Sequence, residues 1–145
     1  MPDGEEKVIS TGEFVSRLFE LKSKKLPDQP QIPLPQLLHY GHFRGWLEDS
    51  DQRHPEAPLN RQTAARIIHT FLLIELQLPD LQDISPATKL KDLYTCRVCA
   101  NHIAQVYSQG IMGADEELFF NHLELMTEKE IKKVIANCEA VKQSI

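Results

Sequence analysis

The chain has 145 residues, 41% of them hydrophobic and 26% charged, the composition of an ordinary folded domain; this excludes a disordered or fibrous protein. Its formal charge of -5, from 16 basic against 21 acidic side chains, comes with no basic stripe, so nucleic acid is not an expected partner. The longest apolar run, Phe71-Leu72-Leu73-Ile74, meets Glu75 at once, far short of the roughly 20 apolar residues that span a bilayer, so no transmembrane segment is expected.

Met1 to Glu6 is acidic and lacks the basic-then-apolar order of a secretory leader. The expectation is a cytoplasmic chain or a piece excised from a longer exported one. Apolar residues then recur at helical spacing in Phe14, Leu18 and Leu21, in Ile67, Phe71 and Ile74, in Ile103, Val106 and Tyr107, and in Ile131, Val134, Ile135 and Cys138. Proline and loop residues break the pattern at 26–35, 48–58, 78–86 and 110–118. Strand-like alternation is absent. The reading is all-α, five or six helices in one domain over residues 1–145, with Pro27 to Pro35 as an extended connector.

Three helix starts look alike: Ile9-Ser10-Thr11-Gly12-Glu13, Leu59-Asn60-Arg61-Gln62-Thr63 and Met126-Thr127-Glu128-Lys129-Glu130. Each is a capping residue preceded by an apolar one, and Ser10 with Glu13 and Thr127 with Glu130 fit the reciprocal capping box. The material upstream also repeats. Leu37 to Gly45 and Val106 to Gly113 are each an apolar helix end followed by two close glycines, the first of them, Gly41 or Gly110, suited to a left-handed helix cap. A unit of helix, glycine turn, loop and capped helix cannot bury its own apolar face, so the copies should pack on one another.

This order resembles the S-layer homology family of bacterial modules. Residues 9–22 are similar to the closing helix of a first repeat, 29–76 to a second and 81–138 to a third. His54-Pro55 stands at the family's Phe-Pro position, Leu59 to Thr63 at its Ile-Thr-Arg-Ala-Glu position, and Leu81-Gln82-Asp83 at its opening Phe-x-Asp. The resemblance implies a compact bundle of about three repeats in a pseudo-threefold arrangement. It further implies a non-enzymatic module that holds an anionic secondary cell-wall polymer of the bacterial envelope, through the motif arginine beside a helix N-terminus.

Only Arg61 keeps that arginine, since Thr11 and Glu128 stand in the other copies, and Glu128 would repel an anion. The implied ligand-binding residues are therefore Arg61 and Asn60, with Gly41, Gly45 and Trp46 in the same repeat, the indole offering a face to a sugar ring. Arg61→Ala should then abolish anionic-glycan binding while leaving helicity nearly unchanged. The bland alternative is a solvated helix-start arginine and a core tryptophan. The competing function is a cytoplasmic protein-interaction module that kept the scaffold and lost the glycan. Localisation follows the choice, cell envelope for an exported protein and cytoplasm otherwise.

Cys96 and Cys99 with His102 have ligand-like spacing, but as residues expected within a helix they read as small apolar side chains and reduced thiols rather than a zinc knuckle. No strand precedes the CxxC, which speaks against a thioredoxin-like site. His39, His42, His54, His69, His102 and His122 form no metalloprotease motif, and no phosphate-binding or nucleophile-elbow glycine pattern occurs. Glu48, Asp49 and Asp51 read as a solvated acidic loop. Neither catalysis nor a cofactor is expected.

Overall fold

The computed structural model describes residues 4–22 and 32–143. The fold is all-α, with α1 (Thr11–Phe19), α2 (Leu34–Arg44), α3 (Asp49–Arg53), α4 (Arg61–Ile74), α5 (Arg97–Ser108) and α6 (Glu128–Gln143). Short 3-10 turns lie at Gly4–Glu6, Ser85–Lys89 and Leu93–Thr95. None of the described helices is long and apolar enough to cross a membrane.

Two of the anticipated breaks differ in detail. Pro27 and Pro30 of the expected connector lie outside the described residues, while Pro33 caps α2 and Pro35 sits in its first turn. Proline is tolerated there because a first-turn N–H has no intrahelical partner to lose. The 48–58 loop contains α3, and Asp51, expected in solvent, is only 4% exposed. Arg66 takes both its carboxylate oxygens, at 2.8 and 2.9 Å. That bidentate contact is what makes burial of the charge tolerable.

The three caps fall where their residue types call for them. Ser10 Oγ accepts from the Glu13 N–H at 3.2 Å, Asn60 Oδ1 from Thr63 at 2.9 Å and Thr127 Oγ1 from Glu130 at 3.5 Å. The return half of the capping box is different, because the glutamates serve other partners. Glu13 pairs with Arg17, and Glu130 with Arg61.

The apolar residues before the caps, Ile9, Leu59 and Met126, are each fully buried. Their backbones close a ring: Ile9 N–H donates to Met126 O at 3.0 Å, Met126 N–H to Leu59 O at 2.9 Å, and Leu59 N–H to Ile9 O at 2.9 Å. The first residue of each following helix then donates outward. Thr11 N–H reaches Ala57 O at 2.9 Å, Arg61 N–H reaches Glu124 O at 2.9 Å, and Glu128 N–H reaches Lys7 O at 2.8 Å. Helix-start N–H groups that lack intrahelical acceptors are thereby satisfied by the neighbouring chain.

One of the two glycine turns is shifted from its sequence reading. The left-handed glycines are Gly45, with φ of 97°, where Gly41 was expected, and Gly110, with φ of 78°, as expected, so the second glycine of one segment matches the first of the other. Gly41 lies inside α2, where the returning chain folds onto it and an added Cβ would come within 2.6 Å of the Leu47 side chain. Its carbonyl accepts from Trp46 and Leu47, as the Val106 carbonyl accepts from Ile111 and Met112. The parallel extends to the helices that follow. Thr70 Oγ1 donates to Trp46 O, and Asn137 Nδ2 to Ile111 O, each at 3.0 Å. One continuous apolar core, including Phe14, Trp46, Phe71, Ile103, Phe120 and Ile131, joins the elements.

Candidate functional site: two grooves beside the helix starts

Two grooves open where the outward-donating helix starts meet a neighbouring loop. The larger, of about 700 Å³, is lined by Thr11, by Glu48, Ser50 and Asp51 around α3, by Asn60, Gln62, Thr63 and Arg66 of the α4 start, and by Cys96, Cys99 and His102 of α5. The smaller, of about 320 Å³, lies between Arg61, the Gly113–Asp115 loop and α6.

Arg61 occupies the smaller groove and is 8% exposed. Its Nε donates to Phe120 O at 2.7 Å, one terminal nitrogen bonds the Glu130 carboxylate and the other the Gly113 carbonyl. The guanidinium also lies 4.5 Å from the centroid of the Phe120 ring. Arg61 is thus a buried clamp between α4, α6 and the 113–120 loop rather than a solvated helix-start arginine. A positive charge at a helix N-terminus is disfavoured by the helix dipole, and here the carboxylate and two carbonyls offset that cost.

The structure does not gather the residues implied as one ligand site. Asn60 caps α4 and lines the larger groove, while Arg61 turns into the smaller one. Gly41, Gly45 and Trp46 stand at the other end of α4, a helix of 14 residues and therefore about 20 Å long. Trp46 is 1% exposed and packs edge-on against Phe71, so its face is not open to a sugar. Its indole N–H donates to Glu75 at 3.2 Å.

That far end carries a second buried charge. Glu75 also receives Lys22 at 2.7 Å, Arg44 at 2.7 Å and the Tyr40 hydroxyl at 3.1 Å. Burial opposes ionisation of Glu75, but hydrogen bonds from Lys22, Arg44 and Tyr40 outweigh it and hold the carboxyl below its ordinary value. The sequence offers no local signal for this cluster, whose members come from separate elements.

The α5 wall of the larger groove departs from expectation. Cys96 is the N-cap of α5 rather than an interior helical residue, and it is disulfide-bonded to Cys99, where reduced thiols were expected. One turn further, His102 Nδ1 lies 2.8 Å from His69 Nδ1, and His69 Nε2 lies 2.6 Å from Asp80 Oδ1. A carboxylate only accepts, so in the neutral pair His69 donates to Asp80 through Nε2 and accepts from His102 through Nδ1. His102 Nε2 then keeps its lone pair. Burial, with the proximity of His69 and Arg66 adding to it, pushes the His102 pKa down to about 4, so the ring is neutral at ordinary pH.

The third cysteine, Cys138, is fully buried and its thiol is pushed up to about 12 by desolvation, which keeps it unreactive. Among the described residues no group of three or more His, Cys, Asp or Glu side chains is placed to hold a metal ion. His39 and His42 are exposed on α2, and His122 is buried beside Asp92. No family model matches the chain, and neither the curated proteins nor the solved structures compared with it provide a match.

Proposed function

We propose that the chain is a non-enzymatic binding module of S-layer-homology-like build, with three helix-start units around an approximate threefold axis, and that it docks a glycan segment of the cell envelope in its larger groove. The observation that carries this reading is the closed ring of backbone hydrogen bonds through Ile9, Leu59 and Met126, together with the repeated outward donation from Thr11, Arg61 and Glu128. Copies that close a ring this way leave clefts between neighbours, and the larger cleft has the volume of a small-ligand site.

The chemistry of that cleft favours the hydroxyl groups of the glycan over its anionic groups. Asn60, Gln62, Thr63, Ser50 and Thr11 offer neutral donors and acceptors. The cationic side chain there, Arg66, is already paired with Asp51 and lies near Glu48. Arg61 is withdrawn into the other groove. The test is co-sedimentation with Gram-positive wall preparations, with the secondary polymer attached or chemically stripped. Polymer-dependent retention that Thr63→Arg abolishes by filling the groove supports the assignment, and retention indifferent to that change overturns it.

A second reading, docking of a protein segment, is favoured by Val98, which lines the same groove and is 86% exposed. It predicts retention by neither wall preparation.

A further inference from the structure

We propose that the Cys96–Cys99 disulfide is a redox-active site that exchanges with the thiols of a cysteine-bearing molecule entering the larger groove. The inference is independent of glycan binding, because it rests on the α5 wall alone.

Two observations converge. The disulfide sits at the start of a 12-residue helix, with Cys96 as its N-cap and no acidic residue in the first turn. Unpaired helix N–H groups there favour a thiolate at Cys96 when the bond opens. Both sulfur-bearing residues are half-buried and line an open groove, so an incoming thiol reaches them without unfolding the chain.

The chemistry balances as thiol–disulfide exchange. An incoming thiol gives up its proton to water. The resulting thiolate attacks the Cys96 sulfur, forming a mixed disulfide as the Cys96–Cys99 bond breaks. Cys99 leaves as a thiolate and takes a proton from water. A second substrate thiolate then attacks the substrate sulfur of the mixed disulfide, releasing Cys96. Two substrate thiols become one disulfide, and two electrons with two protons pass to the protein dithiol. The buried thiol of Cys138 takes no part and serves as an internal control.

The test equilibrates the full chain, natively folded, with mixtures of reduced and oxidised glutathione, quenches with acid, alkylates and reads intact mass. Two alkyl groups should appear together and reversibly as the mixture becomes more reducing, while Cys138 is labelled only after denaturation. Cys99→Ser should trap a glutathione adduct on Cys96. A pair that reduces only when the protein unfolds overturns the site.

Discussion

The two grooves meet equivalent helix starts and differ in what stands first in the helix. Thr11 N–H and Arg61 N–H each donate to a neighbouring carbonyl at 2.9 Å, yet the cleft beside Thr11 is open while the one near Arg61 is occupied by the guanidinium itself. Thr11 Oγ1 reaches only the Ala57 carbonyl at 3.3 Å, whereas Arg61 spans the Phe120 and Gly113 carbonyls and Glu130. The lesson is that an arginine at a helix N-terminus is not by itself an anion site. Whether it faces a ligand or seals a cleft depends on the acceptors that the neighbouring loop brings to it.

The strongest way to break this comparison is to empty the occupied groove. Arg61→Ala should cost about 3 kcal/mol, because it strands two carbonyls and the Glu130 carboxylate around a cavity. Urea denaturation measures it, and a loss under about 0.5 kcal/mol, the size expected for a solvated surface residue, would return Arg61 to solvent. Thr11→Ala, at the equivalent position, should cost only about 1 kcal/mol.

In the open groove, Asp51→Asn removes the charge that neutralises Arg66. Stability should fall by about 2 kcal/mol, as for a weakened buried pair. Uptake of inorganic phosphate by equilibrium titration should rise from its wild-type level. Unchanged phosphate uptake would mean that Arg66 stays turned away from the groove.

Acid should act on the open groove through His102. Its folded pKa of about 4 lies below the ordinary value of 6.5, so the unfolded chain binds a proton that the folded chain refuses. Stability is therefore fully present above 6.5 and lost as pH falls through that window toward 4. The loss should be about 2 kcal/mol after discounting for partial exposure. Glu75, held below its ordinary 4.5, loses its own contribution only at still lower pH. Denaturation at graded pH of wild type against His102→Asn isolates the histidine, and parallel curves would contradict its burial as a neutral ring.

The smallest expected difference lies in the turns leading into each groove. Gly45→Ala and Gly110→Ala should each cost about 1 kcal/mol, the penalty for placing a side chain in the left-handed region. Gly113→Ala should be near neutral, since its φ is not positive and open space surrounds an added Cβ. Thermal unfolding of the three variants gives the order.

Much of the helical layout was legible because its causes are local. Ser10, Asn60 and Thr127 cap helices since a short polar side chain can reach an N–H three residues on, whatever the rest of the chain does. The all-α class followed from apolar spacing for the same reason. The glycine register was misread because two glycines four residues apart are locally equivalent candidates for a left-handed cap. What separates them is that Gly41 is pressed against Leu47 while Gly45 is free to adopt a positive φ.

The sequence by itself determined where the three capped helices α1, α4 and α6 begin and which faces are apolar. Tertiary structure alone decided the partners of those charges. Asp51 with Arg66, Glu75 with Lys22 and Arg44, His69 with His102 and Asp80, and Arg61 with Glu130 are each separated by more than a helical turn's reach along the chain. A cap is fixed by a few backbone angles. A buried charge is fixed by which distant acceptors the packed core carries to it, and no short stretch of sequence contains that information.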